Sequence, residues 1–295
     1  MSYQQNSSGF LVENVHLTEK HRWIEENRPF SGKIAKGIVF LVAVYNIENR
    51  WKAWEKMIKA LDPRPEKVIF CENNSDDNTL ELVSKWDYPH EIIRFYTRSD
   101  AASNRNYDII AMARQFLLQR ARQLNPKYAI FIDDDIFPED PNFIEKLIRW
   151  KKSLVGGTFL RQFTEGIFIG SKWSVKDFKD MPQVQGLGKK VKKIKKKYPN
   201  VCFSNCERKL YKVTMTSTGL LSIGNEILQD KRINFYPIDE QLLKNEYSED
   251  FGFCILAKRF GYETFLDGDT RCAHIFATNE KQRAWRVGTP FSFEG

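Results

Sequence analysis

Tyr128-Ala-Ile-Phe-Ile132 runs straight into Asp133-Asp134-Asp135. Five apolar residues, rich in β-branched and aromatic types, mark a strand buried on both faces. Three carboxylates at its tip are costly unless something answers their charge, because like charges this close repel and raise one another's pKa. In an extended backbone Asp133 and Asp135 point to one side and Asp134 to the other. A divalent cation resolves the conflict. Hard oxygen donors suit Mg2+ or Mn2+, which keep several waters and bind substrate phosphates beside one or two carboxylates. The competing reading is a solvated turn ahead of a helix. Asp140 already serves as that helix's cap, with Pro141 at the first helical position.

Upstream, Ile38-Val-Phe-Leu-Val-Ala-Val-Tyr45 is a second continuous apolar strand. A helix over Ile47 to Leu61 follows, with Trp51, Trp54, Ile58 and Leu61 at helical spacing and Pro63 and Pro65 ending it. Then come a strand at Lys67 to Cys71, a polar turn Glu72-Asn-Asn-Ser-Asp-Asp-Asn-Thr79, a helix over Leu80 to Trp86 and a strand at Glu91 to Tyr96. A long helix covers Asn104 to Leu124. Strands alternating with helices imply βαβ units and a mostly parallel open sheet flanked by helices. Downstream, Val155 to Arg161 and Gly166 to Trp173 read as paired strands. Tyr211 to Thr216 and Thr270 to Ile275 are further strands, and a helix starts at Glu249 or Asp250 and runs to Phe260. In such sheets ligands bind beyond the carboxyl ends of the strands, here after Tyr45, Cys71 and Ile132.

The chain has 295 residues, 42% hydrophobic and 28% charged. That balance describes a globular protein and excludes coiled coil, collagen and disorder. Residues 1–33 read as an N-terminal extension, 34–278 as one α/β domain and 279–295 as a tail. The longest apolar run is too short for a membrane span, and the polar N-terminus lacks an apolar signal core, so a cytoplasmic location is expected, with a peripheral membrane position the alternative. Five cysteines read as reduced thiols. Net charge is +8, and seven lysines between Gly186 and Pro199 account for all but +1 of it. This basic insertion (about 174–210) should attract a polyanion or an anionic membrane surface.

Several motifs, taken in order, resemble the family-2-like glycosyltransferases of the GT-A fold. The strand ending Val44-Tyr45-Asn46 resembles that family's opening strand. Glu72-Asn-Asn-Ser-Asp-Asp-Asn-Thr79 resembles its Asp-Asp-Gly-Ser-x-Asp-x-Thr motif, with Glu72 for an Asp and Asn74 for the Gly. Ala113-Arg114-Gln115 resembles a helical Ala-Arg-Asn segment. Asp133-Asp134-Asp135 matches the Asp-x-Asp metal motif, and Thr218-Gly-Leu-Leu221 resembles the segment lining the sugar and acceptor site. Ser248-Glu249-Asp250, Gly261-Tyr262 and Arg271-Cys-Ala-His274 resemble the late Glu-Asp, Gly-Tyr and His series.

The resemblance implies a GT-A fold and a metal-dependent glycosyltransferase. Ala43, Tyr45, Glu72, Arg114, Asp133 and Asp134 would contact a nucleotide-diphosphate sugar. Asp133, Asp135 and His274 would hold Mn2+ or Mg2+. Arg114, or Arg105, could reach the diphosphate. Asp250 would be the general base. A single base opposite the leaving group implies an inverting displacement. The acceptor would be a glycan or a lipid-linked glycan, anionic if the lysines contact it, with nucleic acid ranked lower. One rival is a nucleotidyltransferase, which needs a Gly-rich phosphate loop that Val44 to Glu48 lacks. The other is a non-catalytic nucleotide-sugar-binding protein.

Overall fold

The computed structural model describes residues 3–5, 11–13, 32–95, 106–161, 208–213, 216–236 and 249–274. The lysine-rich insertion, the expected strand at Gly166 to Trp173, Arg105 and the tail lie outside the described residues. Strands β1 (Tyr3–Gln5) and β2 (Leu11–Glu13) form a separate antiparallel pair.

The remaining strands are β3 (Ile34–Val44), β4 (Arg64–Asn73), β5 (His90–Phe95), β6 (Tyr128–Ile132), β7 (Ile136–Pro138), β8 (Leu154–Arg161), β9 (Leu210–Val213), β10 (Leu220–Gly224) and β11 (Thr264–His274). They make one sheet ordered β5-β4-β3-β6-β10-β8-β11-β7, with β9 also paired to β11. β5, β4, β3 and β6 are mutually parallel. β10 lies antiparallel between β6 and β8, while β8 and β11 are parallel to each other. The parallel character therefore belongs to the first half of the chain, and the second half is mixed. Its strands β7, β9 and β10 are three to five residues long, too short for periodicity to reveal their direction. β8 pairs with β10 through Leu154 to Gly156 and with β11 along most of its length.

One face of the sheet is covered by α1 (Glu48–Ala60), α2 (Thr79–Ser84) and α4 (Phe143–Ile148). Its core joins Phe40, Trp51, Trp54, Phe70, Trp86 and Phe143. The other face carries α3 (Asn106–Leu124), α5 (Asn225–Gln229) and α6 (Glu249–Arg259), packed through Leu117, Leu228, Phe235 and Phe253. α4 begins at Phe143, two residues later than Pro141. The Asp140 carboxylate accepts the Asn142 N–H at 2.9 Å and the Asp140 carbonyl accepts that of Phe143 at 3.1 Å, which makes residues 140–142 a turn. Among the described residues no helix is long and apolar enough to cross a membrane.

Candidate active site

Because β3, β4 and β6 are parallel, the segments leaving their carboxyl ends gather at one rim of the sheet. Two of these segments lock together. Asn46 follows β3 and Asn74 follows β4, both with positive φ (50° and 48°), a region that asparagine tolerates better than most residues. Asn46 Oδ1 accepts the Asp76 N–H at 3.0 Å, and Ser75 Oγ accepts the Asn46 N–H at 3.2 Å. Asp77 accepts N–H groups from Glu48 (3.1 Å) and Thr79 (2.9 Å), so one carboxylate serves the first turns of α1 and α2. The polar run Glu72 to Thr79 is thus largely scaffold for the rim.

Glu72 is almost fully buried. Its Oε1 accepts the Ser75 N–H at 2.7 Å and its Oε2 accepts Arg94 Nε at 3.0 Å. Tyr45 is half-buried beside them, and burial together with the Asp76 and Asp77 charges pushes its phenol up to about 12. Ala43 is the next-to-last residue of β3, opposite Cys71.

After β6 the chain does not stay extended. Residues 133–135 turn, closed by the Ile136 N–H donated to the Asp133 carbonyl at 3.1 Å, and β7 leaves in a new direction to pair with β11. The simple alternation expected for an extended strand is replaced by this turn. The physical cause is on the sheet: β7 gains its ladder on β11 only if the backbone reverses there. Asp133 and Asp134 still face opposite layers. Asp133 accepts Arg114 Nη2 through both oxygens at 3.0 and 3.1 Å, on the α3 side. Asp134 pairs with Arg50, whose Nε donates at 3.0 Å, on the α1 side. Burial pushes the Asp134 carboxyl up to about 6 against the pull of Arg50, with Asp135 adding to the rise. Asp135 is buried in the same turn.

Three further segments reach this turn. The Gly219 carbonyl accepts the Asp133 N–H at 2.9 Å, which brings Thr218-Gly219 alongside. His274, the last residue of β11, stands in register with Ile136 and with Arg161. Arg114 donates from its other nitrogen to Glu249, the first residue of α6, and Asp250 adds its field to Arg114. Burial pushes Glu249 up to about 8, against Arg114 and with Asp250. Asp250 is itself buried.

The sequence-derived residues therefore converge: Asp133, Asp134, Asp135, Arg114, Asp250 and the backbone of His274 lie at one rim, with Tyr45 just after β3 and Glu72 near the end of β4 beside it. Arg50 was not singled out, because a lone cation in a helix carries no signal until the fold sets α1 against β6. Glu249 was quoted only as part of a motif.

A divalent cation is tested by the donor chemistry. Five carboxyl groups (Asp133, Asp134, Asp135, Glu249, Asp250) gather around two buried guanidiniums (Arg50, Arg114). Glu249 Oε2 and Thr218 Oγ1 are buried without a hydrogen-bond partner among the described residues. Hard oxygen donors in excess and orphaned polar atoms fit a hydrated Mn2+ or Mg2+. No three such side chains among the described residues already converge on one point. Asp133 and Asp134 are instead turned to their arginines.

No protein-family model and no curated protein matches the chain in sequence. Solved structures match in shape. TarS from S. aureus superimposes with a TM-score of 0.51 at 16% identity, over 85% of this chain and 38% of TarS. TarS 1–349 in complex with UDP-GlcNAc gives 0.50 at 15%, over 85% and 61%. The mannosyltransferase PcManGT from Pyrobaculum calidifontis, in complex with GDP-Man and Mn2+, gives 0.50 at 14%, over 92% and 66%. The chain thus spans less than two thirds of each neighbour. At such identities the likeness is one of architecture, and the architecture of this chain is the GT-A fold of glycosyltransferases.

Proposed function

We propose that the chain is a metal-dependent glycosyltransferase that moves a sugar from a nucleotide-diphosphate sugar to an acceptor hydroxyl, with inversion. The observation that carries this reading is the assembly of Asp133, Asp134 and Asp135 on one turn at the carboxyl rim of a GT-A sheet, facing the Glu249-Asp250 start of α6 across Arg114.

Asp133 and Asp135, with His274, would hold Mn2+ or Mg2+. When bound, the cation supplies Lewis-acid stabilisation of the departing diphosphate. Asp134, tied to Arg50, fixes the turn that carries Asp133 and Asp135. The carboxyl ends of β3 and β4, with Tyr45 and Glu72, bound the nucleotide end, where Glu72 shapes the Ser75 turn. Asp250 would accept the proton of the acceptor hydroxyl as the new bond forms. The neighbours' nucleotide sugars, UDP-GlcNAc for TarS and GDP-Man for PcManGT, are the first donors to try. The acceptor is proposed to be a glycan or lipid-linked glycan that meets the lysine-rich segment.

Calorimetry and nucleoside diphosphate release test this. The expected result is Mn2+-dependent binding and slow hydrolysis of one nucleotide sugar. Pyrophosphate-dependent exchange would instead indicate nucleotidyl transfer, and binding with no turnover toward any acceptor would indicate a binding protein.

A further inference from the structure

The metal turn and the base helix sit in different parts of the sequence, yet a displacement of about 1 Å between them is enough to slow transfer sharply. Among the described residues two connections span the gap. The first is polar: Arg114, 5% exposed, holds Asp133 with Nη2 and Glu249 with Nη1. The second is aromatic. Phe235 meets Phe131 edge-on at 5.2 Å, two residues before Asp133, and stacks on Phe253 at 4.2 Å and 10°. Phe253 lies one turn after Asp250 on α6.

Phe235 belongs to no strand or helix. Its N–H is donated at 2.8 Å to Gln115 Oε1, which also accepts the Tyr236 N–H at 3.3 Å. Gln115 Nε2 donates to Asn234 Oδ1 at 3.2 Å. Arg122, two turns further along α3, donates to the carbonyls of Leu228, Asp230 and Ile233 and to Asn234 Oδ1. One helix thus grips the segment that wedges Phe235 between strand and base helix, and the residue next to Gln115 supplies the polar link.

We propose that Arg114 and Phe235 are positioning residues which, through α3, fix the Asp250 helix against the Asp133–Asp135 turn. The assignment rests on the functional reading above for what is positioned, and on geometry alone for the brace. Arg114 is a bridge here: it gives each carboxylate its own nitrogen, an arrangement that the single nitrogen of a lysine keeps in charge but not in geometry. Phe235→Leu keeps an apolar side chain but removes the ring that touches both neighbours.

The test has two readouts on the full chain. Without metal, hydrogen exchange of Phe235→Leu should speed α6 amides about tenfold and leave β6 amides within about twofold. Equal effects on both elements, or none on α6, overturn the brace. With Mn2+ and either UDP-GlcNAc or GDP-mannose, Arg114→Lys and Phe235→Leu should leave donor KM within about twofold of wild type and lower kcat at least about tenfold. A raised KM with unchanged kcat would make Arg114 a donor-binding group and overturn the positioning role. If wild type neither binds Mn2+ nor releases nucleoside diphosphate from either donor, the functional reading fails, and the metal-free exchange still decides the brace.

Discussion

Asp133 and Asp134 are neighbours that answer to opposite layers of the molecule, one to Arg114 on α3 and the other to Arg50 on α1. A turn pinned from both sides holds its third carboxylate, Asp135, without freedom to drift. Asp135→Ala should therefore abolish Mn2+-dependent nucleotide-sugar binding while leaving the melting temperature of the metal-free protein within a few degrees, read by calorimetry and thermal scans. Asp250→Asn should do the reverse. Donor and metal binding stay near wild type, and transfer falls by about 10²- to 10⁴-fold, the range a general base supplies. Turnover within a few-fold of wild type would remove Asp250 from that role. At this scale the acidic tip was legible because three carboxylates ending a buried strand need an explanation wherever they occur. Arg50 and Phe235 were not legible, because their meaning comes from partners 84 residues away for Arg50 and 104 and 18 away for Phe235.

Glu91 on β5 shows how elements are fastened. It takes Arg120 of α3 through both oxygens, at 2.6 and 3.1 Å, and Lys67 of β4 at 2.7 Å. Arg120 foremost holds its carboxyl down at about 2. A depressed carboxyl stabilises the fold above its unfolded pKa, and that contribution drains away as pH falls from about 4.5 toward about 2. Glu91→Gln should cost about 1 kcal/mol at pH 7, and the gap from wild type should close over that window in urea titrations. Gly156 on β8 makes a second case. A methyl there would come within 2.3 Å of Thr216 Oγ1, on the stiff side chain of the segment leading into β10. Gly156→Ala should destabilise by about 1–3 kcal/mol, visible as a lower urea midpoint. Most long elements were readable from pattern: β3, α1, α3, β6 and α6 fall within two residues of expectation at nearly every end, whereas β4 starts at Arg64 rather than Lys67 and β11 at Thr264 rather than Thr270. β7, β10 and α5 were not, since a three- to five-residue element owes its form to the ladder or face it joins.

Over the whole molecule, the charge is lopsided, with seven of the eight net positive charges in one stretch. Each lysine near an anionic surface contributes about 1 kcal/mol, screened within a Debye length. Removing residues 186–199 should abolish salt-sensitive retention on anionic vesicles or polyanionic glycans while nucleotide-sugar binding persists. Unchanged retention would make the stretch a solvated loop. The α/β class and the rim location followed from strand–helix alternation, whereas the mixed second half could not, because strand direction is set by long-range pairing.

That long-range pairing has a cost during synthesis. β6 finishes at Ile132, and its partner β10 does not begin until Leu220. β8 waits longer still for β11. For nearly ninety residues of translation the emerging half-sheet carries an open, apolar edge at β6, the kind of edge on which another nascent chain can add a strand.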